Sequence, residues 1–222
     1  MEASPPPRAK ANLRNRAWLL GLLVLAQRAG LRSIEKPQVH GLVFLANGLA
    51  PIYDDIGVDD RVIRHEYGPF YPDVQWDLDR LVGQGLLGVD AVGYRRLSRH
   101  WWQDARYTVT TPGLVLYETL DVIHDLHRSF RFLLELVHAF VSLQREVMDA
   151  AFLQDAIYRT PGKPHWAALV FERIEDNFAA QTAVAFDALA GEQITLSPKE
   201  RLHLYLRYLG RLAARVQDKA TA

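Results

Sequence analysis

The chain has 222 residues, 49% of them hydrophobic, with 26 Lys and Arg matched by 26 Asp and Glu and no cysteine. That length allows one substantial core, or a small domain with a helical extension. Zero net charge gives no global pull toward nucleic acid or membrane, so any such attraction must come from a local patch. The missing thiols exclude a disulfide framework, thiolate zinc and a cysteine nucleophile.

Pro5, Pro6 and Pro7 oppose helix formation at the start and predict a flexible arm over residues 1–14. The apolar run at 17–26 is about ten residues, against roughly 20 needed to span a bilayer. Arg8, Lys10, Arg14 and Arg16 precede it as in a signal peptide, but Gln27 and Arg28 continue the helix without a small-residue cleavage pattern. The expectation is a cytoplasmic protein with no membrane association.

Asn12 or Asn15 caps a first helix through Trp18, Leu19, Leu22, Leu23 and Ala26, ending at Gly30. Pro37 opens a second, with Val39, Leu42, Val43, Ala46 and Leu49 on one stripe and Asn47-Gly48 and Pro51 closing it. Asp54, Asp55, Asp59 and Asp60 read as a solvated loop, since the glycine and distal glutamate of a calcium loop are missing. A short strand at 62–67 leads into a tight turn, Tyr67-Gly68-Pro69-Phe70, and a third helix at 73–84. Strands at 86–92 and 106–110, joined by 93–105, form a wing. Thr111 caps, and Pro112 begins, a helix to about Asp125.

Residues 129–157 contain no breaker and predict one long helix. Its broad face from Phe130 through Phe140 to Phe152 serves either intramolecular packing or a homodimer. Thr160-Pro161-Gly162-Lys163-Pro164 ends it. Trp166, Val170, Ile174, Phe178, Thr182, Ala185 and Leu189 mark another helix, and Ser197 with Glu200 makes a capping box for the last. The fold expected is mainly α with a small β-wing: a winged helix-turn-helix at 15–125 followed by a C-terminal helical bundle at 126–222.

Two stretches carry the candidate contacts. On the third helix, Val74, Leu78, Leu81 and Val82 share a core side, which puts Trp76 opposite, flanked by Asp73, Arg80, Gly83 and Gln84. Trp76 is either covered by the C-terminal helices or free as a binding anchor. Asp73, Asp77 and Asp79 against Arg80 make the helix net acidic, which opposes approach to phosphates and favours a protein partner; Trp76, Asp73, Asp77 and Arg80 are the partner-binding candidates. The wing gathers Arg95, Arg96, Arg99, Trp101, Trp102 and Arg106, with Tyr94 and His100, around the single acid Asp104. Arginine interleaved with aromatics suits phosphate contact and base stacking on double-stranded DNA, a protein interface, or plain packing with snorkelling arginines.

No catalytic constellation stands out. His124 and His127 lie three apart but lack companion ligands for a metal. The Gly83-Gln84-Gly85 run follows a helix rather than preceding one, so it is no phosphate loop. Glu172, Glu175 and Asp176 read as a solvated face. No cofactor, metal or enzymatic activity is expected.

Ile34-Glu35-Lys36-Pro37 with Leu42-Val43-Phe44-Leu45-Ala46, then Tyr67-Gly68-Pro69-Phe70, Leu78-Asp79-Arg80-Leu81-Val82 and Gly85-Leu86-Leu87, resemble a group of bacterial winged-helix proteins over about residues 16–118. These are the phage-associated, Panacea-like winged helices and the middle components of three-component ABC/SMC-ATPase defence systems. The resemblance implies a non-enzymatic accessory protein of an antiphage or toxin–antitoxin operon, partnered by an ABC/SMC-type ATPase or a toxin.

Overall fold

The computed structural model describes residues 7–53, 61–96, 101–159, 164–169, 177–190 and 195–221. It is mainly helical, with two small antiparallel sheets of three strands each. Helix α1 runs Pro7–Arg28 and so takes in half of the expected arm. Proline is tolerated in a first helical turn, whose N–H groups have no partner to lose, and the Ala, Lys, Leu and Arg that follow are strong helix formers. At its far end Leu31 N–H donates to Ala26 O at 3.0 Å and Gly30 N–H to Gln27 O at 3.1 Å, the paired closure expected around Gly30.

Strand β1 (Ile34–Glu35) runs straight into α2 (Lys36–Leu49), capped by a reciprocal box between Glu35 and Gln38 with Pro37 in the first turn. A 3₁₀ turn, Ala50–Tyr53, follows; the acidic loop with Asp54, Asp55, Asp59 and Asp60 lies outside the described residues. Strands β2 (Val62–His65) and β3 (Gly68–Phe70) form a hairpin with Ile63 opposite Phe70. The expected tight turn is thus split: Glu66 and Tyr67 turn, while Gly68-Pro69-Phe70 pairs. Pro69 is tolerated there because β3 is the edge of the sheet β3-β2-β6.

Helix α3 (Pro72–Gly83) ends with Leu86 N–H on Leu81 O at 3.0 Å and Gly85 N–H on Val82 O at 2.9 Å. Gly85 takes φ +71°, the left-handed conformation that glycine adopts at least cost. Strands β4 (Leu87–Arg96) and β5 (Trp101–Val109) form a ribbon longer than expected, because Tyr94, Trp101 and Trp102 sustain pairing as far as Arg96 opposite Trp101. A bulge between Asp90 and Gly93 interrupts it. β5 also pairs with β1, Ile34 opposite Tyr107, giving the order β1-β5-β4. Helix α4 (Thr111–Leu120) is capped by Thr110, whose hydroxyl accepts from Gly113 N–H at 3.2 Å, one residue before the expected cap.

The long helix expected over 129–157 is two, α5 (His124–Val141) and α6 (Arg145–Ala151). At the break the Ser142 hydroxyl donates to Ala139 O at 2.7 Å, a local bond that competes with helix continuation, and α6 turns to pack on α8 (Pro198–Thr221). Trp166 is not helical as expected. Its N–H donates to Arg64 O at 2.6 Å, and β6 (Ala168–Leu169) adds to β2. Strand addition beyond Pro164 overrides the helical spacing, and α7 spans Phe178–Ala190 only. Val170, Ile174 and the acidic Glu172, Glu175 and Asp176 lie outside the described residues, as do residues 160–163. The Ser197–Glu200 box forms, with Ser197 N–H on Glu200 Oε2 at 2.8 Å.

One hydrophobic cluster draws on every helix from α1 to α8 except α6's first turn and on both sheets. The apolar face of α1 lies along α5, and a Cβ on Gly21 would sit 2.1 Å from the Phe130 ring, so only glycine admits that approach. Phe130, Phe132, Leu133, Leu136, Val137 and Phe140 are buried against α1 and α8. The face considered for a homodimer is therefore filled from within the chain. Among the described residues no helix is long and apolar enough to cross a membrane.

Candidate partner-recognition surface

A buried polar chain seats α3. His40 on α2 accepts Tyr71 N–H at Nδ1 (3.3 Å) and meets Gln75 Oε1 at Nε2 (3.4 Å). Gln75 in turn donates to Asp79 at 2.8 Å and to the Tyr107 hydroxyl of β5 at 3.1 Å. Burial pushes His40 down to about 3, so the ring is neutral at pH 7. With Nδ1 accepting, the proton sits on Nε2. Asn47 adds a bond to the Tyr71 hydroxyl at 3.2 Å. Together these fix α3 against α2 and the ribbon.

On the outer side of α3, Trp76 is 63% exposed and is not covered by the C-terminal helices. Asp73 pairs with Arg61. Asp77 is not a surface contact as expected. It is 8% exposed, 3.4 Å from Arg16 of α1 and 3.1 Å from Arg80. Burial pushes its carboxyl up while the two arginines pull it back. At 100° per residue Asp77 falls beside the core side of α3, and α1 closes over it. The acidic excess of α3 is thus offset by Arg16 and Arg61 from elsewhere in the chain.

The ribbon sorts its aromatics by strand alternation, which puts adjacent residues on opposite faces. Trp101 is 66% exposed and Tyr94 69%. Trp102 is buried: it stacks on His65 at 4.2 Å, meets Phe70 edge-on at 5.3 Å, and holds the Lys36 ammonium 4.2 Å from its ring. Its indole N–H donates to Asp104 at 3.0 Å. That occupancy corrects its assignment as a nucleic-acid contact, because neither ring face is open to a base. Arg95 pairs with Asp104 and lies over the Tyr67 ring at 4.7 Å. Arg106 lies 3.6 Å from Asp90. Arg96, opposite Trp101, forms no ion pair among the described residues. Arg99 and His100 lie outside them.

Between α3 and the ribbon runs a groove of about 180 Å³, walled by Val82, Val89 and Val92 and floored by Gln75, Asp79 and Tyr107. The valines were not among the sequence candidates. Val89, paired with Tyr107, reaches the groove by ordinary alternation, while the bulge, with Ala91 at φ +46°, brings Val92 to the same side, which alternation alone does not anticipate. The groove offers apolar burial, with Lys36 and Asp79 of opposite charge in its lining; Trp76 on α3 and Tyr94 and Trp101 on the ribbon are exposed on the elements that form it.

His124 and His127 sit beside Asp125 and Asp121 respectively on the surface. Among the described residues no group of three or more His, Asp or Glu is placed to hold a metal. No protein-family model matches the chain, and no curated protein matches it in sequence.

Proposed function

We propose that the protein is a non-enzymatic adaptor that binds a partner protein through the α3–ribbon groove, with Trp76, Trp101 and Tyr94 as anchors. The observation that carries this reading is the exposure of these three aromatics on elements where Asp73, Asp77, Arg80 and Arg95 are paired and Arg96 is the described cation left over. Large rigid rings in a charge-depleted patch are what interface centres use. The order α1, β1, α2, the β2–β3 hairpin, α3 and the β4–β5 ribbon, with sheet order β1-β5-β4, supports reading residues 15–125 as a winged helix, with a hairpin inserted before its third helix, backed by a helical unit at 126–222. The resemblance named above supports a cytoplasmic partner from an antiphage or toxin–antitoxin operon, an ABC/SMC-type ATPase or a toxin.

The test is a pull-down and titration with the products of neighbouring genes. Trp76→Ala weakens the partner by roughly 30-fold, the loss expected of a hot spot near 2 kcal/mol. Capture of no neighbour, together with a silent Trp76→Ala/Trp101→Ala variant, overturns the reading.

A second reading, a DNA-binding accessory or regulator, is favoured by Arg96 lying opposite the exposed Trp101 on the ribbon. It predicts salt-sensitive duplex binding that is lost in an Arg95/Arg96/Arg99 triple alanine variant. A gel shift at low salt with no retarded duplex removes it.

A further inference from the structure

The outer face of α8 carries two adjacent rows of side chains. Arg207, Arg211 and Arg215 stand four residues apart and all three are exposed, so they form one ridge that steps by about 6 Å along the axis. Beside it runs an apolar row at the same interval: Leu204, Tyr208 and Val216 are exposed and Leu212 is half-buried. Helix α8 has no acid between Glu200 and Asp218, and Glu200 is held by Ser197 at the helix start. Carboxylates on the neighbouring helices are engaged elsewhere, Asp187 of α7 by Arg201 and Glu135 of α5 by Lys199. Glu146 of α6 meets α8 at Gln217, through its backbone carbonyl. Among the described residues the three ridge arginines enter no ion pair, so the ridge stays basic on a chain of zero net charge.

We propose that this face docks an acidic amphipathic helix of a partner protein. Its apolar row rests on Leu204, Tyr208 and Val216, and its carboxylates, four residues apart, meet the arginines. A second helix lying along α8 repeats at the same interval, so one register serves every guanidinium–carboxylate pair. Nucleic acid fits less well, because exposed Leu204 and Val216 have no counterpart on a phosphate backbone. A lipid surface fits less well too. Leu202, Leu206, Leu209 and Ala213, the rest of the apolar side of α8, are buried in the core and leave only a narrow row to insert. The face is separate from the α3–ribbon groove, whose lining holds no residue of α8, and does not depend on the partner reading made there.

The test is fluorescence anisotropy of the full chain with a labelled helical peptide of about 20 residues, long enough to hold a helix, that carries adjacent Leu and Glu rows at four-residue spacing. Control peptides replace every Glu by Gln or every Leu by Ser. The Glu–Leu peptide binds about tenfold tighter than the Gln control, the scale of three exposed ion pairs acting together, and the Ser control also binds more weakly. An Arg207→Gln/Arg211→Gln/Arg215→Gln variant loses the charge margin while its thermal midpoint stays at the wild-type value, since all three side chains are exposed. Trp76→Ala retains the peptide, which separates this face from the groove. The proposal is overturned if the Glu–Leu peptide binds no tighter than either control, if the triple variant keeps the margin, or if Trp76→Ala abolishes binding. It is equally overturned if duplex DNA or phosphatidylserine–phosphatidylcholine vesicles, offered in parallel, bind through the same arginines more tightly than the peptide.

Discussion

Helix α3 and the β4–β5 ribbon carry opposite charge in the sequence, three aspartates against one arginine in the first and three arginines against two aspartates in the second. In the fold both approach neutrality. Asp73 meets Arg61, Asp77 meets Arg16 and Arg80, and Arg95 and Arg106 meet Asp104 and Asp90. The charge on one element is therefore a poor guide to the field at its surface when partners arrive from α1 or from the loop before β2. What distinguishes the two regions from ordinary surface is their exposed aromatics rather than their charge.

The two adjacent ribbon tryptophans give the largest contrast. Trp102→Ala removes a buried ring stacked on His65 and should cost roughly 3–5 kcal/mol of stability. Trp101→Ala should stay within about 0.5 kcal/mol. Urea unfolding of the two variants measures the difference, and equal losses would mean that the ribbon's inner and outer faces are misassigned.

Freeing the paired arginines probes the neutrality itself. An Asp90→Asn/Asp104→Asn variant exposes Arg95 and Arg106 and costs about 1–2 kcal/mol, since Asp104 also accepts the Trp102 N–H. Its duplex affinity should rise at low salt, with a log–log salt slope steeper by about 0.9 for each arginine newly able to reach a phosphate. An unchanged slope would show that those cations do not face nucleic acid at all.

Asp155 is the counter-case, a carboxylate buried with no described cation. It accepts the Tyr205 hydroxyl at 2.5 Å and Ile157 N–H at 2.8 Å, and burial pushes its carboxyl up. The folded state therefore holds the proton more tightly than the unfolded chain. Stability attributable to this group falls as pH rises from the ordinary aspartate range near about 4 through the raised folded value. Asp155→Asn keeps an acceptor for Ile157 and should flatten that descent in urea titrations across pH. A slope identical to wild type would assign the descent to other groups.

The smallest effect is expected at Arg96. Arg96→Ala should leave stability within about 0.5 kcal/mol, while lowering duplex retention only if the DNA reading holds.

Much of the frame was legible because its signals are local. The Ser197–Glu200 box, the glycine closure after α1 and the position of Trp76 opposite the core side of α3 each follow from residues a few positions apart. The errors arose where distant segments decide. Asp77 read as surface until Arg16, some sixty residues earlier, covered it. Trp166 fitted a helical stripe, but β2 supplied a strand partner that no local pattern announces. The split between α5 and α6 reflects the demand of α8, again far along the chain.

The seating of α1 along α5 also bears on synthesis. The apolar face of α1 leaves the ribosome early, yet the helix that buries it begins roughly a hundred residues later, which at typical elongation rates is about 5–20 s. For that interval a helix carrying Trp18, Leu19, Leu22 and Leu23 has no finished core to enter. Nascent-chain capture should therefore find chaperone occupancy concentrated before residue 141 is exposed, and falling once α5 is complete.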